Sequence, residues 1–96
     1  MAVKAYLEAI MTIDPANRPA AAKVYHTYHQ PFLDEIPGAL TKELLVRDED
    51  VKVIHGFDSV EHAKSYLESE LFTQKVAPAL QPTWAADPDV RIYEVA

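Results

Sequence analysis

Histidine is the side chain whose ordinary pKa lies closest to neutral pH, and this 96-residue chain carries four, at positions 26, 29, 55 and 62. His55 stands out because its neighbours at alternate positions, Val51, Val53 and Phe57, are apolar. On a strand that register points a side chain into the protein interior. An imidazole there has the chemistry of a general base, since burial and neighbours tune its affinity for a proton. A core histidine bonded to a backbone carbonyl satisfies the same pattern, and both readings stand on the residues alone. His26 and His29 are three apart, so on a helix they share neighbouring surface. Such a pair can hold two corners of a metal site, but a site needs at least a third ligand, and none is marked by spacing. His62 falls in the first turn of an expected helix, a surface position. Tyr25, Tyr28, Phe32, Tyr66, Phe72 and Trp84 supply the aromatic surface from which ligand pockets are built, and equally that of a small core.

The elements that position these residues follow from periodicity. Val3 to Ile13 alternates between an apolar set and a mixed set, the signature of a strand with one buried face. Asp14-Pro15 ends it and opens a helix to about Gln30, with Asp14 as N-cap and Pro15 in the first turn. Ala21, Val24, Tyr25, Tyr28 and Phe32 form its buried stripe, and Pro31 is expected to kink or end it. Leu40–Arg47 and Val51–Phe57 read as strands joined through the acidic turn Asp48-Glu49-Asp50. Asp58-Ser59-Val60-Glu61 has the form of a capping box and starts a second helix. A broken helical continuation runs from Phe72 to about Pro82, and Val90–Val95 closes the chain as a strand. The order is βαββαβ. It predicts one α+β domain over 1–96, a ferredoxin-like four-stranded antiparallel sheet with two helices on one face.

A sheet with both helices on one side leaves its other face bare. The expected outer set is Lys4, Tyr6, Glu8, Ile10, Thr41, Glu43, Leu45, Lys52, Ile54, Arg91 and Tyr93, in which Tyr6, Ile10, Leu45, Ile54 and Tyr93 make an apolar patch. Patches of that kind mark interfaces. A chain this short buries only about 60–65% of its unfolded surface, and it has no cysteine for a disulfide. A homodimer through the sheet face is the expectation; a solvated sheet face is the alternative. The formal net charge of −6 argues against nucleic acid as a partner. Charged Lys4 and Glu8 interrupt the N-terminal apolar residues, and no run approaches the roughly 20 apolar residues of a membrane helix. The expected setting is the cytoplasm. With two glycines in the chain there is no phosphate loop, and there is no Gly-x-Ser-x-Gly and no cysteine nucleophile, so no cofactor is called for by motif.

Ile36-Pro37-Gly38 before the second strand, Phe57-Asp58-Ser59-Val60-Glu61-His62-Ala63 at the second helix, Tyr66-Leu67-Glu68-Ser69, Phe72, Val76 and the final strand with Tyr93 together resemble the dimeric α+β-barrel superfamily. Within it they are most similar to the antibiotic-biosynthesis-monooxygenase-like domains. His29-Gln30-Pro31-Phe32-Leu33 resembles the His-x-Pro segment of the ethyl-tert-butyl-ether-degradation-type proteins, which makes His29 a second catalytic candidate beside His55. The resemblance implies homodimers whose sheets pack into a barrel, with a pocket between helices and sheet in each subunit. Relatives include cofactor-independent oxidases of aromatic polyketides, haem-degrading enzymes, lactone isomerases and proteins without known activity. The haem-degrading group relies on Asn, Trp and His, whereas the single Asn here is Asn17, at the far end of the first helix, and Trp84 lies in a late loop.

One function is expected first, with two alternatives behind it, and no metal is called for. The first is a cofactor-independent oxygenase for a small aromatic or hydrophobic substrate, with His55 as base and Tyr25, Tyr28, Tyr66 or Trp84 among the pocket walls. The second is a non-catalytic ligand-binding or assembly domain of the same fold. The third is a metal protein using His26 and His29.

Overall fold

The computed structural model describes residues 2–96. Its elements are β1 (Ala5–Met11), a 3-10 turn Pro15–Asn17, α1 (Arg18–Glu35), β2 (Ala39–Val46), β3 (Val51–Phe57), α2 (Val60–Tyr66), a π-helical segment Leu71–Val76, α3 (Ala77–Leu80), a second 3-10 turn Gln81–Thr83, and β4 (Asp89–Glu94). The sheet order is β2-β3-β1-β4, and every neighbouring pair is antiparallel. This is the expected α+β layout, with the helical layer on one face.

Cross-strand register explains the two faces. Leu7 sits between His55 and Ile92, and Ala9 between Val53 and Val90, all on the helix-covered side. On the other side three rows cross the sheet: Thr41-Gly56-Tyr6-Tyr93, Glu43-Ile54-Glu8-Arg91 and Leu45-Lys52-Ile10-Asp89. The apolar residues of this bare face therefore alternate with charge and do not form one unbroken patch. Lys52 Nζ lies 3.5 Å from Glu8 Oε1 within it. A Cβ on Gly56 would collide with the Thr41 hydroxyl, next to the bulge at Leu40.

Three local expectations are corrected. Pro31 neither ends nor breaks α1, which continues four residues further to Glu35. The missing donor costs about 3 kcal/mol in a helix interior. Phe32, fully buried, and Ile36 behind it lie beyond the proline, and burying two large side chains recovers a comparable free energy. Asp14 makes no side-chain cap; Pro15–Asn17 forms a 3-10 turn and the α-helix begins at Arg18. At α2 the cap is Ser59, not Asp58: the Ser59 hydroxyl accepts from the His62 amide at 3.1 Å. Asp58 instead bonds the His62 ring, Oδ1 to Nδ1 at 2.6 Å.

After Tyr66 the helical layer is rebuilt around Ser69. Its hydroxyl donates to the Tyr66 carbonyl at 2.6 Å and accepts from the Phe72 amide at 3.2 Å, joining α2 to the π-helical segment. Two apolar clusters fill the space between helices and sheet. One holds Leu7, Phe32, Phe57, Tyr66 and Val76, the other Met11, Ile13, Ala21, Val51 and Val53.

Candidate functional site

Between those clusters lies a cavity of about 400 Å³, within the range of small-molecule sites. Ala9, Met11 and Val53 form its floor on the sheet, and α1 contributes Ala21, Val24 and Tyr25. Tyr66 from α2 and Phe72 and Val76 from the π-helical segment close the far side. The π turn matters here, since the wider winding brings Phe72 and Val76 to one wall; such turns recur at functional sites.

Few polar groups reach this apolar space. Arg18 stands at one end, but its guanidinium is already bound to the carbonyls of Ile13, Arg47 and Asp48 at 3.1, 2.7 and 2.7 Å. The Tyr25 hydroxyl donates to the Lys42 carbonyl at 2.7 Å, which leaves only its ring for the cavity. His55 is 4% exposed, and its Nδ1 lies 3.0 Å from the Leu7 carbonyl. A carbonyl only accepts, so Nδ1 carries the proton and Nε2 holds a lone pair. Nε2 has no partner among the described residues. Burial, and after it the positive charge of Lys42, holds the His55 ring down at about 3, against a weaker upward pull from the Leu7 carbonyl. The ring is neutral at any working pH.

Lys42 is the residue that sequence reasoning missed. It is 5% exposed, on an edge strand, directly opposite His55 in register and inside the cavity wall. Its ammonium makes no hydrogen bond or ion pair among the described residues. It lies 5.0 Å from the centre of the Phe32 ring and 5.7 Å from that of Tyr25, within cation–π range. Burial lowers its pKa to about 8. The signal was present: once Thr41, Glu43 and Leu45 are assigned outward, Lys42 is the one charge on the inward side between Leu40 and Leu44. Tyr66 adds another unsatisfied group, a hydroxyl that is enclosed and unpartnered, and burial pushes its pKa well up.

The remaining candidates fall elsewhere. His29 does not line the cavity; its Nε2 lies 3.1 Å from the same Lys42 carbonyl that Tyr25 bonds, so α1 caps the unpaired edge of β2 with two donors. Phe32 is fully buried and packs edge-on against His55, Phe57 and Tyr66, behind the cavity rather than in it. Tyr28 packs on the core, and Trp84 directs its indole N–H to the Met11 sulfur at 3.2 Å; neither reaches the cavity lining. Tyr25, Tyr66 and Phe72 do. Beside His26 and His29 no third ligand is placed: among the described residues no group of three His, Cys, Asp or Glu side chains could hold a metal ion. Nor is any described helix long and apolar enough to cross a membrane.

No family model matches the chain. No curated protein matches it either. Solved structures do match in shape. A protein of Caulobacter crescentus provisionally assigned as an antibiotic biosynthesis monooxygenase superimposes with a TM-score of 0.83 at 20% identity, covering 98% of this chain and 91% of its own. A monooxygenase of Streptomyces coelicolor, solved in complex with nanaomycin D, gives 0.81 at 14% identity, covering 98% and 88%. A conserved protein of Methanosarcina mazei gives 0.84 at 12% identity, covering 98% and 94%. At such identities the likeness is one of architecture, and the chain has the fold of the antibiotic-biosynthesis-monooxygenase-like α+β proteins.

Proposed function

We propose that this protein binds a small aromatic substrate between helices and sheet and oxidises it with molecular oxygen, without a cofactor, as a homodimer. The observation that carries the reading is the cavity itself: about 400 Å³, walled by apolar and aromatic side chains, with His55 among them and bonded through Nδ1 alone. Electron-rich phenols react with oxygen once deprotonated, so a protein needs to supply orientation, a route for one proton and exclusion of water. His55 Nε2 accepts a hydrogen bond from the substrate hydroxyl and orients it. With a pKa of about 3 it is too weak a base to carry the proton away at neutral pH. The fold shared with the nanaomycin-bound Streptomyces monooxygenase supports the choice of substrate class.

That same weakness of His55 favours a second reading, a non-catalytic binding domain of the same fold. Thermal shift against a panel of phenols and quinones, followed by oxygen-electrode assays of every hit, separates the two. Oxygen uptake that needs the protein and tracks substrate loss supports the oxygenase; binding with no uptake for any hit leaves the binding domain.

The homodimer is proposed from the bare sheet face. Leu45 and Tyr93 are about half exposed there, at opposite edges of rows that carry Ile54, Ile10 and Tyr6 between them. Interspersed Glu8, Glu43, Lys52 and Arg91 offer charge pairing that would fix one register between two copies. Sedimentation at micromolar concentration tests it, and a monomer there defeats it.

A further inference from the structure

We propose that Lys42 takes up the proton of an aromatic hydroxyl in this cavity and then holds the resulting oxyanion. The inference rests on the aromatic-pocket reading above and assigns the group that the chemistry still lacks. A buried ammonium is normally found paired, because removing a charge from water is unfavourable without a counter-charge. Here Lys42 lines an apolar cavity, and its ammonium has two aromatic rings beside it and no carboxylate partner. Its carbonyl is fixed by Tyr25 and His29, so the backbone that carries it is tied to α1. An unpaired lysine on a pinned edge strand, directed inward against the trend of its own strand, is a feature that folding alone would have replaced with leucine or methionine.

The groups that share its surroundings are Tyr25 and His29 from α1, His55 across β3, and Tyr66 from α2; Arg18 lies at the other end of the cavity with its guanidinium committed. None of them is an anion. With a pKa of about 8, roughly a tenth of Lys42 is the free amine near pH 7. That amine accepts the hydroxyl proton: the ligand O–H bond breaks, a third N–H bond forms on Nζ, and the electron pair stays on oxygen. The product is an ammonium facing an oxyanion in a medium of low polarity, which strengthens their attraction and supplies the missing counter-charge. No electron is transferred in this step.

Two probes of one shape test it, 4-nitrophenol and its methyl ether 4-nitroanisole, titrated into the intact protein. Bound 4-nitrophenol, followed by its yellow phenolate band, is expected to ionise about one pH unit lower than in solution, a tenfold preference for the phenolate. Lys42→Met is expected to abolish that displacement while still binding 4-nitroanisole, and Lys42→Met melting at or above the wild-type temperature confirms that the variant is folded. Persistence of the displacement in Lys42→Met overturns the assignment. Equal binding of both probes, with no preference for the phenolate, also overturns it but leaves the apolar pocket standing. Failure of both probes to bind at millimolar concentration removes the pocket reading as well.

Discussion

Replacing Lys42 by methionine should make the protein more stable at neutral pH and should change how its stability depends on pH. An ordinary lysine titrates near 10.5, and in the cavity burial brings Lys42 to about 8. At about 1.4 kcal/mol per pH unit, that difference corresponds to about 3 kcal/mol against the folded state while the amine is charged. The sign follows from proton counting. Between 8 and 10.5 the unfolded chain holds a proton at this site that the folded chain has released, so wild-type stability rises with pH through that window. Below 8 both states are protonated and the full penalty remains. Methionine keeps the unbranched stem in place and removes the charge. Loss of the two cation–π contacts, worth about 1 kcal/mol each, works in the opposite direction. The net expectation is a gain of about 1–3 kcal/mol at pH 7 that shrinks towards zero or reverses by pH 10.5. Urea unfolding followed by Trp84 fluorescence, at one protein concentration and at several pH values, reads the wild-type minus variant difference directly, so that other titrations cancel. A Lys42→Met protein less stable than wild type at pH 7, or a difference that does not vary with pH, would refute the unpaired-ammonium account.

Other perturbations probe the rest of the structure. His55→Asn keeps a donor for the Leu7 carbonyl but cannot titrate; because the folded pKa of His55 is held near 3, wild-type stability should fall as pH drops below 6.5, by about 2–3 kcal/mol by pH 4.5, and acid unfolding of the variant should lack that slope. Tyr66→Phe deletes an enclosed hydroxyl without a partner and should raise stability by about 1 kcal/mol in a denaturant melt; a loss would mean the hydroxyl is satisfied. Gly38→Ala places a Cβ against the His62 ring and the Asp58 carboxylate at a backbone φ of +78°, and should lower stability by about 1–3 kcal/mol by calorimetry. Ile54→Asp, in the middle row of the bare sheet face, should shift sedimentation towards monomer while leaving the far-ultraviolet circular dichroism unchanged; an unaltered dimer would move the proposed interface elsewhere.

The strands and the two helical regions were legible because their signals are short-range and repetitive. Alternation from Val3 to Ile13 and from Val51 to Phe57 reports a face, and register then confirms that Leu7, Ala9, Val53 and His55 share it. What escaped depends on contacts between distant residues. Pro31 breaks a helix in isolation, yet Phe32 and Ile36 are held by the sheet. The α2 cap moved from Asp58 to Ser59 because the Asp58 carboxylate engages the His62 ring instead. His29 and Trp84 look like pocket residues in a linear reading, but one is drawn to a carbonyl on the edge strand and the other to a buried sulfur.

The unsatisfied groups are distributed unevenly, and that distribution argues for where function lies. Among the described residues the Tyr66 hydroxyl alone is a fully enclosed side-chain polar atom without a partner, whereas the buried Thr83 hydroxyl donates to the Leu80 carbonyl. Three groups without a protein partner gather at one place: the Lys42 ammonium, Nε2 of His55 and the enclosed hydroxyl of Tyr66 all lie around the Phe32 ring. Each lowers stability or holds a group away from its ordinary protonation, and each could be removed by a single substitution to an apolar residue of similar size. Sequences are locally consistent with their fold except where another requirement prevails. Three such departures around one ring, beside a cavity large enough for a bicyclic aromatic molecule, are accounted for together if the ligand supplies the missing partners. His55 and Lys42 then divide the work: the neutral imidazole orients a hydroxyl, and the amine, much the more basic of the two, takes its proton.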